Sequence, residues 1–228
     1  MITLTQRLKK AAELIGETKV LADIGCDHGY LPIYLLKKGK IEFAYACDIR
    51  EGPLMTAKKN IAHYGLSDKT ELIKSDGLKE LKDKKADVIS ICGMGGRMAA
   101  KILSESEDYT KSADAVVVQP MTEIYIFRKF LCENGYIIEK EVLAKENSRF
   151  YNIMRAKRGE EEKKDLFSLY FGKISEDEPL RREYFENHLR IMSGILEAKR
   201  GKEDVNELEF LTKKLKETIN SIKIKENR

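Results

Sequence analysis

The sequence predicts an α/β fold built on a doubly wound parallel sheet. From Lys19 to about Lys157, short apolar runs alternate with helix-length amphipathic segments. The runs are rich in residues that suit strands buried on both faces. Gly65, Gly77 and Gly135 punctuate segment ends. Parallel neighbours need right-handed crossovers, and the intervening helices supply them.

Taken in order, MITLTQRLKKAAELIG lacks the apolar block of a signal peptide and reads as an amphipathic helix. Strands are expected at Val20–Ile24, Phe43–Cys47, Thr70–Ile73, Val88–Cys92 and Ala115–Gln119. Helices are expected at Leu31–Lys38, Pro53–Tyr64, Met94–Ser104 and Glu123–Glu133. After Gly135 the pattern changes. Tyr136–Leu143 and Phe150–Arg155 read as an antiparallel hairpin at the sheet edge, across a loop with Lys145, Asn147 and Ser148. Beyond Arg158 the chain reads as helices: EEEKKDLFSLYFGK, then EPLRREYFENHLRIMSGILEAKR, then Glu203 to Lys225. Val205, Leu208, Thr212, Leu215, Ile219 and Ile222 alternate spacings of three and four, the seam of a coiled coil. Phe185, Leu189, Met192 and Leu196 make a matching stripe, and Gly201 suits a helix end where the chain turns back. Two domains are expected, residues 1–157 and a helical hairpin over 158–228.

Composition sets bounds. Hydrophobic residues at 42% with 35% charged describe a soluble chain with a core, and no apolar stretch approaches the ~20 residues that span a bilayer. A net charge of +4, from 42 basic and 38 acidic residues, does not by itself announce nucleic-acid binding, although one patch can be basic while the whole is nearly neutral. Cys26, Cys47, Cys92 and Cys132 form no CxxC pair; reduced thiols in a cytoplasmic protein are expected. No metal-ligand spacing occurs.

The chemistry concentrates in LADIGCDHG, residues 21–29. An apolar run ends in an acid, and Gly25 and Gly29 allow a tight turn with close backbone approach to a ligand. Asp48 follows about 20 residues on, where an acid grips a ribose at the end of the next strand. The G-x-G-x-x-G of dinucleotide enzymes is absent, because Asp27 stands where a glycine belongs. Asp23 and Asp27 repel a pyrophosphate but suit S-adenosylmethionine, which carries an ammonium and a sulfonium. Ser75, Asp76 and Gly77 sit where a carboxylate accepts the adenine amino group, although Asp-Gly is also an ordinary turn. In ICGMGGRM, Gly93, Gly95 and Gly96 expose backbone where transferred group meets acceptor, and Arg97 is placed to hold a phosphate. Gln119-Pro120-Met121 is expected as a further wall of the pocket.

DIGCDHGYLP, ACDI, SDGL, GMGG and QPM, in this order and followed by a helical hairpin, resemble the bacterial tRNA (adenine-22-N1)-methyltransferases, the TrmK family. The resemblance spans essentially the whole chain. It implies a class I methyltransferase core, Rossmann-like with seven strands, a carboxyl-terminal coiled coil, and methyl transfer to ring nitrogen 1 of an adenine in the tRNA D-loop. Asp23, Gly25, Cys26, Asp27, His28 and Gly29 match the first cofactor loop; Asp48 and Ile49 the ribose loop; Ser75, Asp76 and Gly77 the adenine loop; Gly93, Met94, Gly95 and Gly96 the reaction loop. Asp27, His28, Gly93 and Met94 are the residues expected at the reacting atoms. The Asn/Asp-Pro-Pro-Tyr/Phe motif of amino-group methyltransferases is absent, with GMGG in its place. Tyr30 is the nearest aromatic for stacking on a target base. Arg7, Lys9 and Lys10, then Arg181, Arg182 and Arg190, are the expected tRNA phosphate contacts, with Arg149 bordering the cleft. A monomer is expected. Two rival readings share these residues: a methyltransferase for another RNA or a small molecule, and a non-catalytic tRNA-binding module.

Overall fold

The computed structural model describes residues 2–160, 165–199 and 204–226. They fall into two compact units, Met1–Lys163 and Lys164–Arg228. In the first, helix α1 (Gln6–Ile15) leads into strand β1 (Val20–Ile24), then α2 (Tyr30–Lys37), β2 (Phe43–Asp48), α3 (Glu51–His63) and β3 (Thr70–Lys74). There follow β4 (Val88–Met94), α4 (Gly96–Glu105), α5 (Glu107–Ser112), β5 (Ala115–Pro120), α6 (Ile124–Glu133) and the hairpin β6 (Tyr136–Glu146) and β7 (Arg149–Arg158). The sheet has seven strands in the order β3-β2-β1-β4-β5-β7-β6. The first five are parallel, and β7 is antiparallel to both neighbours.

Two apolar layers sandwich this sheet, because alternate strand residues point to opposite faces. Leu21, Ala44, Ala46 and Val117 meet α1, α2 and α3 through Ala11, Leu35, Ala57 and Ile61. Ala22, Ile24, Ile89, Ile91, Val116 and Val118 meet α4 and α6 through Ala99, Leu103, Phe127 and Leu131. Behind α6, Arg128 is fully buried against Glu141, which also accepts from Asn152 at 2.8 Å. A buried ion pair of this kind holds only because its remaining donors and acceptors are also matched.

Two boundaries depart from the sequence reading. The stretch expected as a helix from Met94 begins as strand: β4 runs through Met94 across an irregularity between Cys92 and Met94, and α4 starts at Gly96. The hairpin loop is shorter than expected, with Lys145 inside β6 and only Asn147 and Ser148 left to turn. Asn147 supplies the left-handed conformation, φ 55°, that so tight a turn demands. Helix α5 was not anticipated; EDYTKS carries too few apolar residues for a periodic signal.

In the second unit, α7 (Leu166–Phe171) is capped by the Asp165 side chain, which accepts from the Ser168 backbone N–H at 3.0 Å. Helices α8 (Arg181–Lys199) and α9 (Asn206–Glu226) run antiparallel, since Arg182 near the start of one pairs with Glu226 at the end of the other. The buried seam of α9 is Leu211, Thr212, Leu215, Ile219 and Ile222. Leu211 joins the expected stripe, and Val205 and Leu208 are only half-buried. Gly201 and residues 161–164 lie outside the described residues. Among the described residues no helix is long and apolar enough to cross a membrane.

Candidate active site

At the carboxyl ends of β1, β2 and β4, a cleft of about 450 Å³ opens in the first unit, within the size range of small-molecule sites. Ligands bind at such strand ends because the loops there diverge to either side of the sheet. The order β2-β1-β4 places that divergence directly over Gly25.

The loop after β1 forms the floor. Gly25 and Gly29 have φ of 74°, and Asp27 adopts φ 51°, a left-handed conformation uncommon for a residue with a Cβ. The backbone N–H groups of Gly25 and Cys26 both donate to the Cys47 carbonyl at 2.8 Å, and Asn60 of α3 donates to the His28 carbonyl at 2.9 Å. A Cβ built on Gly25 falls 2.3 Å from the Met94 methyl, so this glycine leaves the space that Met94 fills. Gly29 instead caps α2 and packs on Ala57, and it does not line the cleft.

The carboxylates are held in distinct environments. Asp23 is buried, accepts from the Ser90 hydroxyl at 2.6 Å, and lies opposite Ser90 in the β1–β4 register. Burial pushes its carboxyl up to about 6; the Ser90 hydrogen bond opposes this and the Asp48 charge adds to it. Asp48, also buried, accepts from the Arg50 backbone N–H at 2.9 Å and the Asp27 N–H at 3.3 Å. Its two oxygens thereby tie the β2 loop to the β1 loop. Asp76 is exposed and hydrogen-bonded to Lys79, which holds its carboxyl below the usual range. Ser75 is buried and turns its hydroxyl back to the Gly77 carbonyl, shaping the loop. His28 Nε2 lies 3.6 Å from Asp27 Oδ2, while its buried Nδ1 has no partner among the described residues. Tyr30 sits beside that imidazole, with ring centroids 5.6 Å apart, and is partly exposed at the cleft wall.

Along β4, Gly93 (φ 83°) and Met94 line the cleft, but Gly95 does not. The three glycines divide their duties. Gly93 permits the kink, and Gly96 brings α4 against the start of α6, where a Cβ would stand 2.4 Å from the Glu123 carbonyl oxygen. Gly95, with an ordinary backbone, faces Thr122. Gln119, Pro120 and Met121, expected as a wall, are not among the residues that line the cleft, and Gln119 is wholly buried. Ile49, Met98 and Ile102 supply the apolar surface.

This chain matches the family described as Methyltransferase domain over residues 4–154. It is 34% identical over 159 residues, 70% of this chain and 67% of the relative, to the tRNA (adenine(22)-N(1))-methyltransferase of Bacillus subtilis (strain 168). The chain belongs to the tRNA (adenine(22)-N(1))-methyltransferase family. Solved structures agree across both units. A Streptococcus pneumoniae protein in complex with S-adenosyl-L-methionine has TM-score 0.85 and 28% identity, covering 95% of this chain and 100% of that one. The M. capricolum TrmK, in complex with the cofactor product S-adenosyl-homocysteine, has TM-score 0.75 and 28% identity, covering 96% of each.

Set beside this family's expected site, the basic residues scatter. Arg7, anticipated as a phosphate contact, lines the cleft itself. Its Nη1 donates to Gln119 Oε1 at 3.0 Å, and its backbone N–H donates to Glu146 at 2.9 Å. Lys10 pairs with Glu13, Arg97 with Glu123, and Arg149 donates to the Met121 carbonyl at 2.5 Å. Lys9 is half-buried on α1. In the helical unit Arg182 pairs with Glu186 and Glu226, Arg190 bonds Asn187, and Arg181 lies over the Phe185 ring. Sequence reasoning missed Ser90 and Asn60. A lone serine inside VISIC, at the register position of Asp23, was the available signal for the first; nothing marked the second.

Proposed function

We propose that this protein transfers the methyl group of S-adenosylmethionine to ring nitrogen 1 of adenine 22 in the D-loop of tRNA. One observation carries the reading: likeness over 95% or more of this chain to proteins named as adenine-22 methyltransferases coincides with a cleft whose carboxylates stand at the ends of β1 and β2. The residues fit the donor. Asp48 suits the ribose hydroxyls, Ile49 and Ile102 the faces of a purine, and Asp76 its amino group, shared with Lys79. Asp23 and Asp27 favour the methionine ammonium.

The donor supplies an electrophilic sulfonium methyl. Nitrogen 1 of neutral adenine already holds an in-plane lone pair, so no base is needed before attack. Catalysis is then largely positioning, an effect worth about 7–11 kcal/mol in favourable cases. Gly93 and Met94 are the proposed border where acceptor meets donor, and Asp27 and His28, which line the same cleft, are the proposed groups that orient the base and favour its growing positive charge. The target base leaves its stack to enter, with Tyr30 available to stack on it. Lys9, Lys10, Arg97, Arg149, Arg181, Arg182 and Arg190 are the proposed phosphate contacts, and a cytoplasmic monomer is the proposed working form.

The test is methylation of a transcribed tRNA. A methyl on nitrogen 1 blocks Watson–Crick pairing, so primer extension should stop at position 22 only after incubation with protein and donor. A transcript with guanine at position 22 should give no stop. Methyl incorporation that survives this replacement would reject the assigned position.

A further inference from the structure

The cleft is acidic, with Asp23, Asp27, Asp48 and Asp76 on its walls, yet the methionine end of the proposed donor carries a carboxylate as well as an ammonium. Such a wall repels that carboxylate unless a cation intervenes. Among the described residues lining the cleft, Arg7 and Arg50 are the permanent cations. Arg50 lies at the ribose end, its side chain 69% exposed and its Nε 3.6 Å from Asp48.

Arg7 stands at the opposite end. Its Nη1 approaches to 3.6 Å the position of a Cβ built on Gly93, at the end of β4, and it donates to Gln119, at the end of β5. Asp48 ends β2, two strands from β4 in the sheet, a separation of about 10 Å. A donor whose ribose rests on Asp48 and whose tail runs over β1 therefore extends toward Arg7. The guanidinium is also preset. Gln119 is wholly buried and fixes one N–H, Glu146 fixes the Arg7 backbone and lies 3.9 Å from Nε, and Nη2 has no hydrogen-bond partner among the described residues. An arginine with a free edge and a fixed fork is matched to a carboxylate.

We propose that Arg7 binds the α-carboxylate of the methyl donor's methionine end, held in place by Gln119 and Glu146. The inference rests on the donor reading above. It makes α1 part of the cofactor site and takes Arg7 away from the tRNA.

Calorimetric titration of the whole protein tests this with two ligands. S-adenosylhomocysteine carries the carboxylate, and S-adenosyl-3-thiopropylamine is the same molecule without it. Wild type should prefer the first by about 10- to 100-fold, the range expected for a charge-assisted contact. Arg7→Gln should bind the two almost equally, and Arg7→Lys should restore part of the preference. A merely structural loss lowers both affinities together and keeps their ratio. Equal affinities in wild type, or a wild-type ratio in Arg7→Gln, overturn the proposal, as does weakened tRNA binding in Arg7→Gln with that ratio intact. If wild type binds neither ligand, the donor reading itself has failed. The wild-type comparison stands even where a variant does not fold.

Discussion

Asp23 joins the fold to the site through a single proton. Its carboxyl titrates near 6 in the folded protein because burial outweighs the Ser90 hydrogen bond, against an ordinary value of 3.8. Between those values the native state binds more protons than the unfolded chain, so this group's contribution to stability is full below the lower value and lost as pH rises through the upper one. Asp23→Asn should therefore melt above wild type at about pH 7.5, by a margin worth at most ~3 kcal/mol, and the margin should close toward about pH 4.5. A constant margin across that range would show that the carboxyl is not raised. Ligand binding should run the other way: wild-type affinity for S-adenosylhomocysteine climbs between about pH 5 and 7 as Asp23 ionises, and the variant's stays flat. Asp48 answers to a different test. Its carboxylate is the proposed acceptor for both ribose hydroxyls, so Asp48→Asn should weaken S-adenosylhomocysteine about 10- to 100-fold with an unchanged fold by circular dichroism. Both acids were legible in the sequence, since each ends an apolar run before a turn. Ser90 was not, because only β-register brings it beside Asp23, and Arg7 was legible as a cation but read as a phosphate contact, because only the packing of α1 brings it to Gly93.

The strands were readable as elements because those buried on both faces appear as unbroken apolar runs, as AVVVQ does in β5. The junction of β4 with α4 was not, because GMGGRM has a composition compatible with a helix start while its glycines answer to tertiary contacts. Gly96 shows this most directly. A methyl there meets the Glu123 carbonyl oxygen at 2.4 Å and Phe127 Cβ at 3.1 Å, and neither is the flexible end of a side chain. Gly96→Ala should separate α4 from α6 and cost about 1–3 kcal/mol in denaturant unfolding. Gly95→Ala meets two side-chain ends, the Thr122 hydroxyl at 3.2 Å and the Glu123 carboxylate at 3.6 Å, on ordinary backbone, and should cost clearly less. Equal destabilisation would mean that the two glycines do not divide their roles as the geometry indicates. The hairpin β6–β7 adds a second lesson, since Lys145 reads as loop by charge but sits in a strand, its ammonium over the Phe150 ring at 5.5 Å.

Across the whole molecule, a net charge of +4 conceals where the cations are committed. On the helical unit, Arg182 is shared by Glu186 and Glu226, Lys223 reaches Glu186, and Lys225 reaches Glu176. Exposed pairs of this kind contribute about 0–1 kcal/mol each, so tRNA phosphates can exchange for the carboxylates at small cost. Arg181 belongs to a separate class, since its guanidinium packs over Phe185 and its removal would disturb the fold. The informative variant is therefore Arg182→Glu with Arg190→Glu, which leaves Arg181 in place. Its tRNA affinity should fall, and the slope of log affinity against log salt should flatten by about 0.7–0.9 for each phosphate that the variant no longer neutralises. Affinity for S-adenosylhomocysteine should stay at the wild-type value, because the described residues that line the cleft belong to the first unit. An unchanged salt slope would move the RNA-contacting surface to Lys9, Lys10, Arg97 and Arg149 on the sheet unit and leave the helical hairpin without a role in docking.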